Sequence, residues 1–188
     1  MADETSEILE APEATPATPI TLMLDRLESS AQRITWGIVD LDEEELTSGS
    51  EEGEDEEWSP IQILAHVKAC DDIMTGRIAS ILTNPKAVVP NFDEQAWATI
   101  AAYTEAPVDQ TLMALQRHRG EMVWQLRRLP EATWQQSFTH ETRGTLTLLA
   151  LVQSFLEHEE EHVAQLEEMF EEVDVTDEAV AAPSEEEV

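Results

Sequence analysis

Residues 155–170 read FLEHEEEHVAQLEEMF. Their apolar side chains return at three- and four-residue steps, the period of a helix with one buried face. His158 and His162 stand four apart, so they stack on one side of that helix. The stretch also matches H-E-x-x-H, in which two helical histidines hold zinc and the glutamate between them activates water. It is therefore a peptidase signature, another metal-binding pair, or a glutamate-rich helix that happens to carry two histidines.

Extended upstream, the same stripe takes in Leu149, Val152, Leu156, Glu159, Val163, Leu166 and Phe170, which predicts a helix from about Gly144-Thr145 to Phe170. Three further helices follow from the same period. One starts near Ile20 and aligns Leu24, Leu27, Ala31, Ile34 and Ile38. A second opens at WSPIQIL, where Ser59 is a good N-cap and Pro60 falls at the first helical position. Its stripe is Leu64, Val67, Met74, Ile78 and Ile81, and it stops near residues 83–85. A third runs from about Pro107 to Leu129 and aligns Val108, Leu112, Leu115, Arg119, Met122, Leu126 and Leu129. A short helix is expected around Trp97. No alternating pattern predicts a strand, and no glycine-rich phosphate loop or internal repeat is present. Four amphipathic helices of about 20 residues make an all-α four-helix bundle the natural architecture. The long connection between the second and third allows one overhand crossing.

The 188 residues suit one domain, and the single cysteine, Cys70, excludes an internal disulfide framework. No apolar run approaches the roughly 20 residues of a membrane span. The acidic, Pro/Thr-rich N-terminus lacks the features of a secretory signal, so a cytoplasmic protein is expected. The net charge of −31 is unevenly placed. Residues 58–156 hold 9 acidic and 8 basic side chains, a balance of −1, whereas residues 40–57 hold 11 acidic and no basic ones. From Glu157 onward there are 14 acidic and no basic residues. The expected organisation is a disordered acidic tail over 1–16, a bundle over 17–172 with an acidic loop at 40–57, and a disordered acidic tail over 173–188. Such charge argues against nucleic-acid binding, and no membrane partner is expected. A small-molecule substrate and a monomer or homodimer are the remaining expectations.

His158 and His162 lie between Phe155 and Gln165, on a stripe beside the main apolar one. His66 has a similar flanking place on the second helix, in line with Ile63, Cys70 and Ile73. If these two helices are neighbours, three imidazoles converge. Three protein nitrogens with a position left for water make an open, catalytic type of site, and neutral imidazoles suit zinc, nickel, copper or iron. His118 and His140 lack spaced partners. Cys70 is either a small apolar filler or a thiol close to the metal. Gln165 is a candidate to orient a histidine. Trp58, Trp97, Trp124 and Trp134 are expected as core and loop anchors, with Trp97 and Tyr103 as candidates for a pocket mouth. Asp71 and Asp72 are placed either to bond His66 or to bridge across the bundle.

The segments WSPIQILAHV, FDEQAWA, LQRHRGEMVWQLRRLPEATW and RGTLTLLALVQSFLEHEEEHVAQLEEM, in this order and at these separations, resemble the DinB-like (DinB/YfiT) superfamily over about residues 17–172. The most specific parts are the W-S-x-x-x-x-x-x-H opening and the G-x-L-T…H-x-x-x-H-x-x-Q run. The resemblance implies an up-down-down-up four-helix bundle with a metal on His66, His158 and His162. It implies a divalent transition metal (zinc, nickel, iron or manganese) and, in some relatives, a low-molecular-weight thiol such as mycothiol or bacillithiol. The activity expected is that of a thiol transferase or isomerase, or of a hydrolase. The alternative is a non-catalytic metal-binding or stress-response protein.

Three features count against a peptidase. The chain beyond His162 offers no third ligand except acidic residues, no strand is expected to hold an extended substrate, and Glu159 falls on the main core stripe. There it is expected to meet Arg119, the odd member of the third helix, as a buried ion pair that fixes register.

Overall fold

Thr18 opens the first helix by accepting a hydrogen bond from the Thr21 amide, and Pro19 fills the position where a missing N–H costs nothing. In the computed structural model this helix, α1, spans Pro19–Ile38. The structure describes residues 18–49, 58–84 and 86–180, the stretch 170–180 by its backbone alone. The expected tail at 1–16, residues 50–57 of the acidic loop and residues 181–188 lie outside the described residues. Within the acidic loop a short helix α2, Glu43–Thr47, forms on a capping box between Asp42 and Glu45.

Helix α3 spans Pro60–Thr83, and its Gln62 amide oxygen accepts from both the amide and the hydroxyl of Ser59. Helix α4, Glu94–Ile100, is capped by Asp93. Helix α5 covers Val108–Leu126 and α6 covers Leu148–Val180. The last helix thus continues past residue 172, where the sequence reading ends the bundle.

Long-range pairs fix the helix directions. Arg26 pairs with Glu160 and Arg33 with Glu167, both at a separation of 134, so α1 and α6 run parallel. Arg119 reaches Leu27 and Ser30 while Arg127 reaches Asp25 and Glu28, so α5 opposes α1. Helix α3 packs between α5 and α6. The bundle is up-down-down-up, with the crossing made by residues 84–107.

The core divides into two apolar clusters. Leu27, Leu126 and Val152 belong to one, and Leu64, Leu115 and Val163 to the other. Each such side chain stabilises the fold by about 1.5–3 kcal/mol on burial. Between the clusters each of the four long helices contributes a buried polar residue: Ser30, Asp71, Arg119 and Glu159.

Two expectations need correction. A three-stranded sheet is present, with β1 (Val88–Val89) parallel to β2 (Ser137–His140) and β2 antiparallel to β3 (Gly144–Thr147). Residues 144–147 are therefore strand, and α6 begins only at Leu148. The Thr147 hydroxyl accepts from the Ala150 amide and starts the helix there. Gly144 has φ +74°, a left-handed conformation open to glycine at the hairpin turn. Two tryptophans also miss their expected places. Trp58 and Trp134 are buried, but Trp97 is 42% and Trp124 62% exposed.

Candidate metal centre

His66 sits two turns into α3, and its side chain is fully enclosed. Helix α6 runs alongside and presents His158 and His162 on adjacent turns. The rings of His66 and His158 are 5.2 Å apart between centroids, those of His66 and His162 4.7 Å, and those of His158 and His162 4.6 Å. The structure therefore brings together the three histidines that the sequence singled out. His66 Nε2 lies 2.9 Å from His158 Nε2. Trp58, just before the Ser59 cap, closes the cluster from behind, stacked parallel to His162 and edge-on to His66.

Two further groups enter the cluster. Cys70 Sγ is 3.4 Å from His66 Nε2. Glu94, in the first turn of α4, holds one carboxylate oxygen 3.9 Å from His66 Nε2 and the other 3.9 Å from His158 Nε2. His66, Cys70, Glu94 and His158 each offer one donor atom, all within 4.8 Å of one another. Glu94 was not a candidate in the sequence analysis. Its only signal was the FDEQAWA segment, and nothing local shows that the crossover folds this carboxylate back over α3.

Burial, and then the neighbouring imidazoles, push His66 down to about 3. Burial and His158 likewise lower His162, against the hydrogen bond to Gln165. Both rings are thus held neutral, the form in which imidazole ligates metals. Burial, followed by the Glu94 and Asp71 carboxylates, raises Cys70 and keeps it a thiol. Gln165 Oε1 lies 3.3 Å from His162 Nδ1 and can only accept there. That fixes the proton on Nδ1 and leaves the His162 Nε2 lone pair unshared. Nε2 is buried and has no hydrogen-bond partner. A buried nitrogen without a partner, beside two more imidazoles and a carboxylate, suits a cation.

Glu159, the would-be general base of H-E-x-x-H, faces the other way. Its carboxylate is bound at 2.7 Å by Arg119, which also holds Asp71 at 2.7 Å. Burial raises both carboxylates, Glu159 to about 7, against the pull of Arg119. Burial alone would lower Arg119, but the two carboxylates outweigh it and raise it. Asp71 thus bridges across the bundle, while Asp72 bonds His118 at the surface. His140 is buried on β2 and lines a cavity of about 200 Å³. That cavity opens beside Cys70, Glu94 and His158, and Phe92 is the aromatic residue at its α4 end. Trp97 and Tyr103 are not among its walls, and Tyr103 instead packs edge-on to Trp58.

An up-down-down-up bundle with a histidine cluster between its second and last long helices defines a recognisable class. The sequence model of the DinB superfamily matches residues 26–166, and the chain belongs to that superfamily. A protein of Oceanobacillus iheyensis, named as a proposed metal-dependent hydrolase, is 29% identical over 158 residues, covering 84% of this chain and 89% of its own. The structure of YfiT from Bacillus subtilis, described as a proposed metal-dependent hydrolase with an unusual four-helix bundle topology, is similar at a TM-score of 0.74. The match covers 88% of this chain and 93% of YfiT at 18% identity, a likeness of fold. Among the described residues no helix is long and apolar enough to cross a membrane.

Proposed function

We propose that the chain is a metal-dependent hydrolase whose single divalent ion is held by His66, His158 and His162. The observation that carries the reading is the unpartnered, buried Nε2 of His162, in a ring whose centroid lies 4.7 Å from that of His66 and 4.6 Å from that of His158, the histidine that lines the open cavity. When bound, the ion supplies Lewis acidity toward a substrate carbonyl or phosphoryl group and toward water. The protein supplies the rest. Gln165 fixes the His162 tautomer, Trp58 shields the rear of the cluster from solvent, and Glu94 stands where it accepts a proton from a nucleophile arriving through the cavity. His158 is 33% exposed, so the cluster communicates with the cavity. That access favours a catalytic centre over a closed, purely structural one.

The test is elemental analysis of the untagged protein beside His66→Ala and His158→Ala/His162→Ala variants. The wild type should hold about one transition-metal ion per chain, lost in both variants. No uptake by the wild type after incubation with zinc, nickel, iron or manganese would refute it. Retention in His66→Ala would remove His66 from the ligand set. Ester, amide and phosphoester hydrolysis is then screened with the metal-loaded protein. Turnover only with an added low-molecular-weight thiol would make the chain a thiol transferase instead.

A further inference from the structure

The cavity beside the histidine cluster has a second pole. Its walls include Arg77 from α3 and Arg143 from the turn before β3. The chain carries 41 acidic and only 10 basic side chains, so a cation more often than not finds a carboxylate. Six of the ten do so: Arg26, Arg33, Lys68, Arg117, Arg119 and Arg127 are all ion-paired. Arg77 and Arg143 are not, among the described residues, although they face the same cavity. Each is instead steadied by one neutral acceptor. Arg77 Nη2 donates to the Pro90 carbonyl and Arg143 Nη2 to the Ser154 hydroxyl, both at 3.0 Å. Arg77 Nε is buried with no partner at all. The one carboxylate in the cavity wall is Glu94, at the histidine end.

Two guanidinium groups left without counter-charge in a strongly acidic protein, with donors free and orientation fixed, make a receptor for an anion. Arg77 lies seven residues beyond Cys70 on one face of α3, about 10 Å along the helix axis. Ser154, which steadies Arg143, lies one turn before His158 on α6. The anion site is therefore a short molecule's length from the imidazoles.

We propose that Arg77 and Arg143 determine specificity by binding an anionic group, a carboxylate or a phosphate, at the end of a small-molecule substrate remote from the bond that reacts. The reaction assigned to that substrate rests on the hydrolase reading above, whereas the anion site does not require the metal.

The test uses the full-length protein stripped of metal with a chelator and dialysed. Thermal unfolding is followed against inorganic phosphate in one arm and succinate in the other, at constant ionic strength set with chloride. The wild type should gain stability saturably in at least one arm, and the arm with the tighter response identifies the group. Arg77→Gln and Arg143→Gln should each weaken that binding about tenfold. The double variant should lose it, while Arg128→Gln, which removes an arginine outside the cavity that has no ion pair among the described residues, should leave it unchanged. No saturable response in either arm below about 50 mM would overturn the proposal, as would equal affinity in the wild type and the double variant. Loss of metal binding with anion binding intact would sink the hydrolase reading alone.

Discussion

Arg119 and His66 are both buried in the same bundle, yet their surroundings differ in kind. The charge of Arg119 is answered by Asp71, Glu159, the Ser30 hydroxyl and the Leu27 carbonyl. His66 meets another imidazole, a thiol and a carboxylate oxygen at 3.9 Å. Nearby, His162 Nε2 has no hydrogen-bond partner. Leaving a buried polar group unpaired costs about 1–3 kcal/mol. The first cluster gives each of its side chains at least one partner, leaving only the second oxygens of Asp71 and Glu159 without a hydrogen bond, and it locks the four long helices into one register. The second retains it at the edge of a cavity, where a ligand can relieve it. The pairing within each cluster separates a structural role from a binding one, although both clusters share α3 and α6.

The largest way to break this contrast is to empty the first cluster. Arg119→Ala strands two buried carboxylates and should destabilise the protein by about 3–5 kcal/mol in urea denaturation. Arg117→Ala, two residues away in an exposed pair, should stay within about 0.5 kcal/mol. Similar losses for the two variants would show that the Arg119 cluster does not hold the register.

The second cluster should answer to ligand instead. Zinc at about a hundred times its dissociation constant should stabilise the wild type by about 2.7 kcal/mol and leave His158→Ala/His162→Ala unmoved. A double variant that still gains the full increment would place the ion elsewhere.

These two clusters were unequally legible in the sequence. Arg119 and Glu159 each interrupt an otherwise apolar stripe, so a local pattern alone shows that both must be buried and must find partners. Asp71 completes the set, but its sequence neighbourhood does not choose between His66 and a bridge across the bundle. The histidines follow from helical spacing and from their motif. Glu94, Arg77, Arg143 and His140 do not, because the crossover and the small sheet carry Glu94 and His140 or position the arginines. Ser137–His140 and Gly144–Thr147 are only four residues each, too short for alternation to stand out. In GTLTLLAL the apolar spacing runs unbroken into the helix, and Thr147 marks the start only once its hydroxyl is seen on the Ala150 amide. Trp124 shows the opposite limit. Its ring lies under the Arg128 guanidinium at the surface, a placement that composition does not distinguish from burial.

Acid sharpens the contrast further. Glu159 titrates near 7 in the folded protein against 4.5 for a free glutamate, so the folded state binds the extra proton between those values. Its contribution is present below 4.5 and is lost as pH rises through 7. His66 runs the other way. Its folded value near 3 lies below 6.5, so its contribution is present above 6.5 and is lost as pH falls toward 3. Each slope is at most about 1.4 kcal/mol per pH unit, and the two oppose between 4.5 and 6.5. Glu159→Gln removes one of them. The metal-free variant should therefore lose stability, relative to wild type, as pH falls from 6.5 to 4.5. Parallel urea midpoints for the two proteins across that range would contradict the assignment.

The smallest effects test the periphery of each cluster. Ser30 accepts from Arg119 at 3.3 Å and donates to the Leu27 carbonyl, so Ser30→Ala should cost about 1 kcal/mol of stability and leave metal uptake alone. Among the described residues the one side-chain hydrogen bond of Gln165 is to His162, through Nδ1. Gln165→Ala frees that ring to take the other tautomer, which would put a proton where the lone pair is needed. Metal affinity should fall about tenfold, with the melting temperature of the metal-free protein unchanged. The two substitutions each remove a single hydrogen-bonding side chain from a buried polar residue, so their size does not separate them. The readout does: stability for Ser30 and affinity for Gln165. If Gln165→Ala instead lowers the stability of the metal-free protein and spares metal affinity, His162 is a structural histidine held by its glutamine, and the second cluster is no more a binding site than the first.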